Sequence, residues 1–138
     1  MWRHPLTPPR TVLAALALGG ALALAAVVSA QPQPTVINVE LSEYKCTPMD
    51  INLNKGQAYL LHLANTGGKT HDLSAKAFFQ TVSLSPATAS KVHHGDVELD
   101  RGESADLVLT PQASGTYEMH CTEPFHSMLG MKGHIIVH

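Results

Sequence analysis

From residue 36 onward the chain alternates apolar and polar side chains in short runs separated by turn residues. Val36-Ile37-Asn38-Val39-Glu40-Leu41 places Ile37, Val39 and Leu41 on one face at a period of two, the mark of a half-buried strand. Ile51 and Leu53 share a face of a shorter run that turns at Asn54-Lys55-Gly56. Ala58 to Ala64 reads as a longer buried strand stopped by Asn65-Thr66-Gly67-Gly68, and His62 within it is expected as a hydrogen-bonded core residue. Asp96-Val97-Glu98-Leu99, the turn Asp100-Arg101-Gly102-Glu103 and the return through Ala105 to Leu109 predict a hairpin. Gly115 to Cys121 puts Tyr117, Met119 and Cys121 on one side, and Lys132 to Val137 is the last strand. Between Ser74 and Lys91 the alternation stops. Ala75 to Gln80 and Pro86 to Ser90 there fit one or two helical turns. Some seven short strands with frequent turns predict an all-β antiparallel sandwich, with no internal repeat and no heptad pattern.

The first 30 residues have a different pattern. Arg3, His4 and Arg10 precede an apolar run from Thr11 to Val28 that is broken only by Gly19-Gly20, and no acidic residue occurs before Glu40. The run closes on Val28-Ser29-Ala30, small residues of the kind a signal peptidase accepts. Residues 1–30 are therefore expected to be a secretory signal peptide cleaved after Ala30. The competing reading is an uncleaved anchor, whose apolar stretch is near the lower length limit for a span. Residues 31–35 read as a tether and residues 36–138 as one domain. Export predicts a periplasmic location and a compartment in which disulfides form.

Arg3 and Arg10 leave with the leader. Nine basic side chains then become seven against eleven acidic ones, a formal charge of −4. Nucleic acid needs clustered Lys and Arg, so it is excluded as a partner class. Histidine is over-represented: nine in the chain, of which only His4 lies in the leader. Imidazole is the commonest metal-ligating side chain.

The candidate chemistry is concentrated in Cys121-Thr-Glu-Pro-Phe-His126-Ser-Met-Leu-Gly-Met131, a Cys-x4-His-x4-Met loop between two strands. Upstream, His71 follows the turn that ends a buried strand. Two imidazoles and a thiolate with a weak thioether form the ligand set of a blue-copper site. Structural zinc takes four Cys or His and ignores methionine. A fourth zinc ligand here would have to be His120, which points to the opposite strand face from Cys121. Iron–sulfur clusters need four cysteines, and the chain has two. A Cys121–His126 nucleophilic pair lacks an orienting third group. A Cys46–Cys121 disulfide is the competing reading for a secreted pair. It would remove the only thiolate beside His126 and Met131, so Cys46 is expected to be a buried free thiol. Met128 competes with Met131 for the thioether position. With Phe125 and Leu129 it also fits an apolar rim around His126.

The segment from about Val36 to Val137 resembles the cupredoxins. The resemblance is carried by Asn65-Thr-Gly-Gly-Lys-Thr-His71-Asp72 and by Gly115-Thr-Tyr-Glu-Met-His-Cys121 running into His126, Met131 and the last strand. It implies a Greek-key β-sandwich of about seven to eight strands, one type 1 copper ion cycling between Cu(I) and Cu(II), and one-electron transfer between redox proteins. It also implies that His71 and Cys121 are interior equatorial ligands, His126 the equatorial ligand nearest the surface where partners dock, and Met131 the axial ligand. The ligand loop looks more like that of rusticyanin or auracyanin than that of plastocyanin or azurin. Thr70 stands where azurin has a glycine, and Asp72 where several members have asparagine.

The expected function is that of a monomeric, exported electron carrier, with no enzymatic activity and no membrane span in the mature form. The alternative is a protein for copper delivery, buffering or sensing, which the extra His93, His94, Met119 and Met128 favour.

Overall fold

The computed structural model describes residues 32–121 and 132–138. Residues 1–30, expected to be a leader, and the residues Phe125, His126, Met128, Leu129 and Met131 lie outside them. Ten strands and two one-turn helices occur among the described residues. They are β1 (Thr35–Ser42), β2 (Lys45–Thr47), β3 (Asp50–Leu53), β4 (Tyr59–Asn65), β5 (His71–Ser74), α1 (Lys76–Phe79), β6 (Val82–Leu84), α2 (Pro86–Ala89), β7 (Asp96–Leu99), β8 (Ser104–Pro111), β9 (Gly115–His120) and β10 (Lys132–Val137). The expected all-β sandwich is present as two five-stranded sheets, ordered β2-β1-β4-β8-β6 and β3-β10-β9-β5-β7. The strands beyond those read from the sequence are short. β2 and β6 have three residues each, too few for an alternation to be diagnostic, and β5 is buried at all four positions and shows none.

Most pairings are antiparallel, but β1 runs parallel to β4 and β10 parallel to β3. In both cases the pairing strand enters from another part of the chain, which local patterning does not encode.

The segment 96–109 is not a hairpin. β7 pairs with β5 in one sheet, and β8 pairs with β4 and β6 in the other. The turn is as tight as expected, with the Glu103 N–H donating to Asp100 O at 2.9 Å and the Asp100 N–H to Glu103 Oε2 at 2.8 Å. It works as a corner between layers. Val97 and Leu99 belong to one sheet and Leu107 and Leu109 to the other, and all four are buried in the single core. Burial of one apolar face per strand fits a corner as well as a hairpin, so the pattern could not separate them.

The core is built from the inward positions of both sheets, including Val39, Leu41, Leu61, Leu63, Leu73, Met119 and Ile135. The insert forms the two expected helical turns. Phe78 is fully buried and meets Tyr117 edge to face at 5.6 Å. The Tyr117 hydroxyl donates to Ala113 O at 3.0 Å, a tyrosine corner fixing the entry to β9. His62 is hydrogen-bonded, with Nδ1 2.6 Å from Asp106 Oδ1, but its side chain is 41 % exposed. It occupies the outer face of β4, because the strand alternates and Leu61 and Leu63 take the inward positions.

Candidate metal centre

β5 and β9 bring two of the four candidate ligands to the same place. They pair antiparallel with Ser74 opposite His120. Cys121 directly follows β9 and His71 opens β5, so the two lie on neighbouring strands. A hydrogen bond reports the proximity directly: the Cys121 thiol donates to Asp72 Oδ1 at 2.9 Å, and Asp72 is bonded to His71 through the chain. His71 and Cys121 are almost wholly buried, at 0 % and 1 % exposure, and Asp72 is at 3 %. His120 points away from Cys121, as expected for the next residue of a strand, and is half-buried. Among the described residues no three His, Cys, Asp or Glu side chains gather into a metal-binding group. The other candidate ligands, His126 and Met131, belong to the segment 122–131 outside the description.

The segment leading into His71 is held by Asn65, which the sequence presents as a strand-ending turn residue and as the first residue of the motif resembling the cupredoxins. Its buried side chain donates from Nδ2 to the carbonyls of Lys69 at 2.8 Å and Leu99 at 2.9 Å, and its Oδ1 accepts the Gly67 N–H at 2.9 Å. One amide thus ties the loop before His71 to the end of β7. The signal in the sequence was Asn before Gly-Gly, a side chain that readily bonds backbone two residues on. Glu43 was not singled out at all. Its Oε1 accepts the Gly68 N–H.

The two cysteines are both buried, and no disulfide joins them. The Cys46 thiol is pushed up from 9.0 to about 11, first by burial and then by the negative charge of Asp72. It therefore stays protonated across the ordinary pH range. Cys121 is the cysteine placed next to an imidazole-bearing strand. A soft sulfur and an imidazole on adjacent strands, both shielded from water, are donors suited to soft or borderline metals such as copper and zinc. Hard oxygen-seeking cations are poorly served by them.

No curated protein matches the sequence. Solved structures do match the fold. The dithionite-reduced auracyanin of Roseiflexus castenholzii aligns with a TM-score of 0.55 at 21 % identity, covering 78 % of this chain and 99 % of that one. Auracyanin A of Chloroflexus aurantiacus, a blue copper protein, aligns at 0.53 and 20 % identity, covering 77 % of this chain and 100 % of that one. A multicopper oxidase aligns at 0.59 and 11 % identity, covering 78 % of this chain but 45 % of that one. Likeness at such identities establishes the fold. The model of the cupredoxin-like domain matches residues 12–137, nearly the whole sequence, and the chain belongs to that family.

Proposed function

We propose that this protein is an exported copper protein that carries single electrons between larger redox partners, with one copper ion held by His71, Cys121, His126 and Met131. The observation that carries the reading is the buried Cys121 thiol, 2.9 Å from Asp72 Oδ1, on the strand beside the one that bears His71. From that sulfur the chain runs directly into the Cys-x4-His-x4-Met loop. Copper bound there supplies a Cu(I)/Cu(II) couple. The chain's contribution is to hold a soft sulfur and an imidazole in a water-excluded, rigid sheet interior, which limits rearrangement when charge changes.

Family membership and the likeness to the auracyanins, which cover almost their full length, support a carrier over an enzyme. The multicopper oxidase has more than twice the aligned length, so this chain corresponds to one part of it. No helix among the described residues is long and apolar enough to cross a membrane. A cleaved leader at 1–30, a periplasmic location and a monomer whose partners dock near His126 complete the proposal. Copper delivery is less well supported, because Met119, one of the side chains that favoured it, is fully buried in the core.

Adding one equivalent of Cu(II) to copper-free protein tests the reading. An intense sulfur-to-copper charge-transfer band is expected, and Cys121→Ala should abolish it. Colourless binding, or a band that survives the substitution, sinks the type 1 assignment. Copper loss to a chelator that outruns electron self-exchange would transfer the protein to the delivery class.

A further inference from the structure

The parallel pairing of β1 with β4 sets Leu41 opposite Asn65, so the two chains leave the sheet side by side. One turns through Glu43 and Tyr44 into β2. The other turns through Gly67 and Gly68 toward His71. The two turns are joined, because Oε1 of Glu43 accepts the Gly68 N–H. Gly67 packs so closely on the next element that a Cβ there would stand 2.5 Å from Nε2 of His71 and 3.1 Å from Oε1 of Glu43. Imidazole edge and carboxylate therefore flank the same methyl-sized space, which only glycine leaves open. The turn presenting Glu43 is itself held in an unusual conformation, with Tyr44 at a φ of 59°. A bulky side chain seldom adopts that region, and such outliers persist where the surrounding structure fixes them, often near functional groups.

We propose that Glu43 is a positioning residue for His71. It pins the Gly67–Gly68 turn against the Nε2 edge of the ring and sets a negative charge beside that edge, leaving Nδ1 for the metal. A carboxylate near a ligating imidazole fixes the ring's orientation and raises its basicity. A more basic imidazole favours Cu(II) over Cu(I), so Glu43 lowers the reduction potential. The redox part of this inference rests on the copper reading above, while the positioning part holds for the metal-free protein.

The test compares the full chain with Glu43→Gln, Glu43→Ala and, as a control, Glu118→Gln, an exposed carboxylate on β9. Glu43→Gln keeps an oxygen for the Gly68 N–H and removes only the charge. It should retain the charge-transfer band and shift the Cu(II)/Cu(I) equilibrium about threefold toward Cu(I), roughly 30 mV upward at about 59 mV per decade for one electron. Glu43→Ala should add a loss of Cu(II) affinity, and the control should move the potential far less. In copper-free protein the ring nitrogen and carbon NMR signals of His71 should shift in both Glu43 variants and stay put in the control. Unmoved His71 signals, or a Glu43→Gln potential indistinguishable from the control, overturn the proposal. If His71 responds to Glu43 but the wild type gives no charge-transfer band, the copper reading fails and the positioning role stands.

Discussion

The insert between β5 and β7 and the strand pair carrying His71 and Cys121 both bury polar side chains, but the local reasons differ. In the insert each one serves the backbone. Ser85 caps α2 by accepting the Thr88 N–H at 3.2 Å, with Pro86 at the first helical position. Thr88, 1 % exposed, accepts the Val108 N–H at 2.7 Å and so fastens the helix to β8. Caps and turns explain this burial completely. In β5 the four residues His71, Asp72, Leu73 and Ser74 are all buried, and three of them are polar. A strand interior has no backbone need for an imidazole and a carboxylate. Polar burial costs free energy unless compensated, and the compensation seen here joins side chain to side chain, Cys121 to Asp72, rather than side chain to backbone.

That contrast predicts separable consequences. The largest should come from Phe78→Ala, which empties a fully buried ring position between Phe79 and Tyr117. A loss of about 3–5 kcal/mol of stability is expected from such a truncation, read by denaturant unfolding of the copper-free protein. The charge-transfer band of the loaded variant should keep its position. A band that moved with Phe78 would mean that the insert reaches the metal centre and that the two regions are not independent.

Asp72→Asn probes the other region and should do the reverse. Asp72 accepts the Cys121 thiol proton at 2.9 Å in the metal-free protein. With the sulfur bound to copper as a thiolate, a carboxylate at that place opposes the electron that reduces the metal. Asparagine removes the charge and offers an N–H to the sulfur, and both changes favour Cu(I). The reduction potential should rise on the order of 100 mV, the scale of one charge removed at a few ångströms in a protein interior. Voltammetry reads it directly. A potential that fell, or did not move, would remove Asp72 from the sulfur's environment.

The sequence disclosed these two regions unequally. Strands with strict alternation, such as Thr35–Ser42 and Gly115–His120, could be read because one face of each is solvated. β5 could not, since burial on both faces erases the period of two. His71 and Cys121 are legible as ligand types at suggestive spacing, and the pairing of β5 with β9 brings Cys121 to Asp72, the neighbour of His71. Glu43 is not legible in the sequence, because its partner Gly68 is brought to it by the parallel β1/β4 pairing, and for Asn65 only the local bond to Gly67 is legible, its reach to Leu99 depending on the β7 corner. The same corner defeated the hairpin expectation. Local patterns encode which face is wet, and they carry little about which sheet a strand joins.

The smallest expected effect concerns the second sulfur, and it sharpens the comparison within a single element type. Cys46 lies opposite Leu41 in β2, is 2 % exposed, and has its thiol raised from 9.0 to about 11 by burial and by Asp72. Below about pH 9 the thiol is protonated in folded and unfolded chains alike, and its contribution to stability is fully present. Between about 9 and 11 only the unfolded chain releases the proton, so stability falls as pH rises through that window. A loss on the order of 2 kcal/mol across that window is expected. Cys46→Ala removes the titrating group. Its own cavity cost is the same at every pH, so the difference between variant and wild type should shrink from pH 8 to pH 11 in urea unfolding of the copper-free protein. Parallel stability curves would show that neither burial nor Asp72 raises the Cys46 thiol. The influence of that carboxylate would then be confined to the sulfur it touches, Cys121.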